Sequence, residues 1–104
     1  MKISVVIPVY NKADYIRQCL TDVLGQHFDD FEVVAVDDGS TDASGEICDE
    51  VASRDSRCKV VHTENCGVTA ARRRGVAEAR GRYVVFVDAD DRLRQFSGLV
   101  FEDV

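Results

Sequence analysis

Asp88, Asp90 and Asp91 fall within four consecutive residues. Alternate residues of an extended segment project to one side, so Asp88 and Asp90 share a face if strand geometry continues past Val87. Two such charges about 4 Å apart repel by about 4 kcal/mol at an effective dielectric near 20. A divalent cation offsets that repulsion. Mg²⁺ and Mn²⁺ prefer oxygen ligands, and often take one or two carboxylates with water and substrate phosphate completing the shell. For so short a motif a solvated acidic turn is the plainer reading. Asp37-Asp38-Gly39-Ser40 is a second cluster. It can be a turn with Ser40, Thr41 or Asp42 as helix N-cap, or an edge carboxylate that accepts hydrogen bonds from a ligand's N–H or hydroxyl. Both readings can hold, split across neighbours. Arg72-Arg73-Arg74 point about 100° apart on a helix, so they cannot all reach one ligand. One aimed at a phosphate through a forked hydrogen bond suffices.

Other chemistries find little support. His27 and His62 are lone histidines, expected to be structural or on the surface. No Ser-His-Asp or Cys-His arrangement is discernible, and the glycine patterns of P-loop and dinucleotide-binding proteins are absent. Cys19, Cys48, Cys58 and Cys66 contain no C-x-x-C pair, which argues against a zinc or thioredoxin-type site. They are expected to be reduced, small core residues.

These candidates are positioned by a repeated strand-then-helix unit. Ile3 to Val9 is an apolar, β-branched strand. Ala13 to Gln26 places Tyr15, Ile16, Cys19, Leu20, Val23 and Leu24 on one helical face. Phe31 to Val36 is the second strand and runs into the Asp37 cluster. Ala43 to Arg54 is the second helix and Cys58 to His62 the third strand. Gly67 to Arg80 is a third helix with a small inward face, closed by Gly81 as a C′ cap. Tyr83 to Val87 is the fourth strand. Apolar strands without strict alternation, separated by helices, predict an α/β fold: three layers, α/β/α, with a mostly parallel sheet. Such sheets bind ligands beyond the carboxyl ends of their strands. All the chemistry-bearing clusters sit there. The stretch from Arg92 to Val104 has no firm assignment.

Length and charge bound the rest. A chain of 104 residues holds one domain at most. Its net charge of −6 disfavours duplex nucleic acid. No apolar run reaches the roughly 18 residues of a membrane span, and Met1-Lys2 leads into a strand without signal-peptide flanks. A cytoplasmic location is expected.

Four segments in order resemble one family: Ser4-Val5-Val6-Ile7-Pro8-Val9-Tyr10-Asn11, Val36-Asp37-Asp38-Gly39-Ser40-Thr41-Asp42, Asn65-Cys66-Gly67-Val68-Thr69-Ala70-Ala71-Arg72, and Gly81 through Asp91. Together they are similar to the N-terminal, nucleotide-binding half of a family 2 glycosyltransferase of the GT-A fold. The resemblance covers residues 1–93 as a nucleotide-diphospho-sugar-binding unit and leaves 94–104 as an atypical tail. It implies that Pro8, Val9 and Tyr10 line the base pocket, with Tyr10 packing on the base. It implies that Asp38 accepts a hydrogen bond from the base and that Arg72 approaches the nucleotide. Asp88 would contact the ribose or metal, Asp90 would bind Mn²⁺ or Mg²⁺, and Asp91 would support the loop. The implied donor is a nucleotide-diphospho-sugar, a UDP-sugar first, transferred with inversion. The implied acceptor is a saccharide or a lipid-linked molecule, in polysaccharide or glycoconjugate synthesis, and a full-length form could sit at the inner face of the membrane.

Departures matter too. Arg73 replaces the asparagine usual in relatives, and the segment after Leu93 lacks the usual Pro or Trp. No residue takes the role of the acceptor's general base, which is expected beyond Val104. The chain by itself is therefore expected to bind donor without transferring sugar. The alternative is a non-catalytic module that binds a nucleoside diphosphate. A sugar-nucleotide pyrophosphorylase would need a glycine-rich loop where Tyr10-Asn11-Lys12-Ala13-Asp14 stands. A receiver domain would need a phosphoacceptor and a lysine at later strand ends. With its neighbours missing, the fourth strand is expected to have an open edge, and self-association through that edge or the tail follows.

Overall fold

The structure, a computed structural model, describes residues 2–26, 30–90 and 101–103. The expectations for His27, Asp91 and most of the tail fall outside them. Chain order is β1 (Ile3–Val9), α1 (Ile16–Leu24), β2 (Phe31–Asp38), α2 (Ser44–Arg54), β3 (Cys58–Thr63), α3 (Val68–Glu78), β4 (Tyr83–Phe86) and β5 (Phe101–Asp103). The sheet order is β3-β2-β1-β4-β5. The first four strands are mutually parallel, and β5 is antiparallel to β4.

With this order, handedness fixes which face each helix covers. The β1-α1-β2 and β2-α2-β3 units step one way across the sheet, and β3-α3-β4 steps back past both strands. Right-handed crossovers then place α3 on the face opposite α1 and α2. The residues agree. Ile3, Val5, Ile7 and Val9 of β1 pack with Ile16, Cys19, Leu20 and Val23 of α1 and Cys48 of α2. Val6, between them in sequence, packs with Val34, Val36, Val84 and Ala71 under α3. Period-two alternation thus divides one strand between two cores. All eight residues of β2 are buried, as expected of an inner strand covered on both faces.

The small face of α3 lets it approach the sheet closely. A Cβ at Gly75 would run into Val6 Cγ1, with Cγ2 at 3.2 Å. Gly81 does not cap α3, which ends at Glu78 with Ala79 as its cap. Gly81 is instead small because β1 lies against it: a Cβ there would stand 2.6 Å from the Ser4 nitrogen. Its N–H donates to Ser4 Oγ at 2.7 Å, and the Ser4 hydroxyl donates to the buried Glu32 carboxylate at 2.6 Å.

Two further expectations are corrected. The edge of β4 is not open, because β5 pairs with it from Tyr83 to Val85 and takes up its backbone groups within the same chain. Cys66 is exposed, while Cys19, Cys48 and Cys58 are buried. Burial pushes the Cys48 thiol up to about 12 and the Cys58 thiol to about 11, so neither forms a thiolate near neutrality. Among the described residues, no helix is long and apolar enough to cross a membrane.

Candidate functional site

β1 and β4 are neighbouring parallel strands, but β1 leads away to β2 on one side while β4 is reached from β3 across the sheet. That is a topological switch point, where a parallel sheet opens a crevice. A cleft of about 550 Å³ lies there. Pro8 and Val9 line it from β1, Tyr10 and Lys12 from the loop after it, Asp38 from β2, and Asp88, Ala89 and Asp90 from the loop after β4. Asn65, Gly67, Val68 and Ala71 close it from α3 and its approach. Six of the residues singled out from sequence thus meet in one place. The seventh, Arg72, is not among the lining residues. Its guanidinium stands 3.7 Å from Asp88 Oδ1 and over the Phe86 ring.

The base-side loop is held by its neighbour. The N–H groups of Asn11, Lys12 and Ala13 donate to Ser40 Oγ (3.1 Å), Ser44 Oγ (2.7 Å) and Asp42 Oδ2 (3.1 Å). Asn11 has a φ of +49°, a left-handed conformation that asparagine tolerates better than most residues. There its Oδ1 accepts from the N–H of Thr41 at 2.8 Å. These bonds spend three consecutive donors on side chains. α1 starts at Ile16, later than the apolar pattern predicts, after a turn in which the N–H groups of Tyr15 and Ile16 both donate to the Lys12 carbonyl. Of the expected caps for α2, Asp42 acts from one residue before the formal cap, accepting from the Ser44 N–H at 2.9 Å.

Asp38 is 4% exposed. Its two carboxylate oxygens accept from the N–H groups of Cys66 (2.8 Å) and Gly67 (3.0 Å), and its carbonyl accepts from Asn65 Nδ2. It therefore fixes the entry of α3, where the helix's positive end favours a carboxylate. A carboxylate offers about four acceptor sites, so two are left for a group in the cleft. Gly39 makes this approach possible. Its φ is +67°, and a Cβ there would stand 2.6 Å from the Asn65 nitrogen.

Asp37 has a different task, and His62 is not alone. His62 Nδ1 lies 2.8 Å from Asp37 Oδ2, and Nε2 lies 2.9 Å from Asp49 Oδ1. Ionised carboxylates only accept, so both contacts are satisfied together only by the doubly protonated ring. The hydrogen bonds to Asp37 and then Asp49 hold the His62 pKa above its ordinary value. For Asp37, burial acts upward, but hydrogen bonds from Ser40 and His62 outweigh it and hold the carboxyl below the usual range. The signs give a window. The His62 contribution is complete below its unfolded value of about 6.5 and is lost as pH rises through the folded value. The Asp37 contribution is complete above about 3.9 and is lost as pH falls through its folded value. The pair therefore stabilises most between about pH 4 and pH 6.5. Thermal melts are expected to show the melting temperature falling from pH 6 to pH 8.5, with a flatter profile in His62→Gln. Parallel profiles for the two proteins would contradict this coupling.

Asp88 and Asp90 differ from the two buried acids. Ala89 between them is 3% exposed, whereas the Asp88 and Asp90 side chains are 61% and 47% exposed. Strand geometry does not continue through them, since β4 ends at Phe86 and Ala89 and Asp90 lie in a turn, but burial still alternates and both carboxylates line the cleft. Among the described residues no three His, Cys, Asp or Glu converge as a complete metal cage. Two accessible carboxylates at a cleft mouth fit the other kind of site, in which water and phosphate oxygens supply the remaining ligands of Mg²⁺ or Mn²⁺. Nothing in the local sequence marks Lys12 as part of the site. Its Nζ reaches Asp90 Oδ2 at 3.4 Å across 78 positions of sequence. Asn65 and Gly67 belong to the family-like segment Asn65–Arg72, but only the fold places them on the cleft wall.

Comparison with known proteins gives one answer. GlyA of Streptococcus pneumoniae, a glycosyltransferase, is 48% identical over 94 residues, covering 90% of this chain and 14% of that protein. S. aureus TarS 1-349 in complex with UDP superposes with a TM-score of 0.82 at 36% identity, covering 91% of this chain and 29% of that one. TarS has also been solved with UDP-GlcNAc. The mannosyltransferase PcManGT from Pyrobaculum calidifontis, in complex with GDP-Man and Mn²⁺, gives 0.82 at 30% identity over 89% of this chain and 29% of its own. The chain thus spans less than a third of the length of each. The architecture shared with these neighbours is the GT-A fold. The family model described as glycosyl transferase family 2 matches residues 4–95, which takes in both loops of the switch-point cleft and every strand that shapes it, and the chain belongs to that family.

Proposed function

We propose that this chain forms the donor side of a nucleotide-sugar-dependent glycosyltransferase. The observation that carries the reading is the polarity of the cleft. Asp38, a buried acceptor, stands at the β2 side, and the exposed pair Asp88 and Asp90 stands at the β4 side. A nucleoside diphosphate has the same polarity, with a base that donates N–H at one end and a diphosphate at the other. Pro8, Val9 and Tyr10 would wall the base, Asp38 would accept from it, and Asp88 would meet the ribose. Asp90, with Asp88, would hold Mn²⁺ or Mg²⁺, which neutralises the charge that develops on a departing diphosphate. Arg72 would add to that from behind Asp88.

UDP is the first choice of nucleotide because TarS is solved with UDP and UDP-GlcNAc. Mn²⁺ is supported by the PcManGT complex. Transfer is read as inverting, to a saccharide or lipid-linked acceptor in polysaccharide or glycoconjugate synthesis. The acidic residues that line the described cleft are Asp38, Asp88 and Asp90, all engaged on the donor side. We assign the acceptor's general base to the part of the relatives' length that this chain does not span, and read the chain as binding donor without turnover.

Titration calorimetry with UDP and GDP, with and without Mn²⁺, tests this. Weak UDP binding that requires Mn²⁺ is expected, with no sugar released to an acceptor by this chain. Absence of metal-dependent binding would sink the donor reading, and measured transfer would sink the division of labour.

A further inference from the structure

Each carboxylate offered to the metal is held by a cation from a different element. Lys12, in the loop after β1, sits 3.4 Å from Asp90 Oδ2, and Arg72, on α3, sits 3.7 Å from Asp88 Oδ1. The pairs cross the cleft mouth and join parts of the chain far apart in sequence. Lys12 is anchored for this: its N–H donates to Oγ of Ser44, which is fully buried. The Lys12 and Asp90 side chains are 37% and 47% exposed, so their pairing is accessible and reversible.

From this arrangement we infer that Lys12 is an exchangeable counter-ion of the donor site: it competes with the divalent cation for Asp90 and binds the diphosphate once displaced. The inference rests on the donor reading above and adds a residue and an order of events to it. A cation arriving alone must displace ammonium from Asp90 and leaves that ammonium without an anion. A nucleoside diphosphate arriving with the cation supplies the anion. The exchange then conserves ion pairs: Asp90 passes from ammonium to metal, and Lys12 passes from carboxylate to phosphate oxygen. Metal and nucleotide are therefore expected to bind cooperatively, each raising the other's affinity by the same factor. Arg72 can move with Lys12, but its stacking over Phe86 ties it to α3. Lys12 is the freer partner.

The test is Lys12→Met in the intact chain, with two readouts of opposite sign. Mn²⁺ binding without nucleotide, followed by the loss of the free-ion paramagnetic signal, is expected to tighten about threefold, the scale of an exposed ion pair. UDP binding at saturating Mn²⁺, followed by calorimetry, is expected to weaken about tenfold, the scale of a lost hydrogen bond between charged groups. Lys12→Arg is expected to restore both toward the parent. If Lys12→Met leaves Mn²⁺ binding unchanged or weaker, the competition is overturned. If it leaves UDP binding unchanged, the transfer to phosphate is overturned. A parent protein that binds Mn²⁺ but no UDP would refute the donor reading, while the Mn²⁺ comparison still decides the competition. A parent that binds neither would refute both.

Discussion

Asp90→Ala is expected to abolish the metal-dependent part of UDP binding, a loss of at least about a hundredfold in affinity at saturating Mn²⁺. Its melting temperature is expected to stay within about 4 °C of the parent. The separation of the two effects follows from where the side chain sits. Asp90 is 47% exposed, and its contact is the Lys12 ammonium at 3.4 Å. Such exposed pairs contribute about 0–1 kcal/mol, so the fold loses little. A ligand of a sparse site is different. With only two exposed carboxylates among the described residues of the cleft, removal of Asp90 leaves the cation with Asp88, phosphate and water. Calorimetry and thermal melts on the same preparation decide the matter. Loss of cooperative unfolding would assign Asp90 to the fold, and retained Mn²⁺ dependence would remove it from the metal site.

The second large effect lies far from the chemistry. Gly75→Ala is expected to destabilise the protein by about 2 kcal/mol, although alanine is the better helix former by about 1 kcal/mol. The added methyl would run into Val6 on the buried face of β1, where Val6 is fully buried and close-packed. Inserting a carbon into such a core forces side chains off their rotamers or moves the backbone. Here the backbone that would move is α3. Its entry is bound by Asp38, and Arg72 on it reaches Asp88. UDP binding is therefore expected to weaken along with stability. Val6→Ala provides the check. Alone it opens a cavity and destabilises, but in combination with Gly75→Ala it makes room for the methyl. The double variant is expected to lose less than the sum of the single losses, and strict additivity in denaturant titrations would show that the two side chains do not compete for one space.

Much of the fold was legible because its causes are local. The helical spacing of Ile16, Cys19, Leu20 and Val23 and the unbroken apolar runs of β1 and β2 are written in neighbouring residues. The α/β order, the parallel sheet and the placing of acids at strand ends follow from them. Boundaries were less legible. α1 starts at Ile16 after a turn at Lys12, and the residues before it are tied to Ser40, Asp42 and Ser44, about thirty positions away, which no local spacing records. β5 was not legible either, since an edge strand of three residues carries too short a pattern to distinguish.

The sequence by itself determined which kinds of group this protein brings to a ligand: strand-end carboxylates, an aromatic after β1 and arginines on α3. That is so because strand and helix periodicity carry each residue to a predictable end of its element. The tertiary structure decided how those groups divide the work. Asp37 and Asp38 are adjacent, yet opposite strand faces send one to His62 and the other to the entry of α3. Lys12 and Asp90 meet only because the strand order sets β1 beside β4. Gly75 and Gly81 are small because α3 and the turn before β4 press on β1, not because a turn demands it. Pairings of this kind depend on which strands become neighbours, and that is settled by the packing of two cores on opposite faces of the sheet rather than by any local pattern.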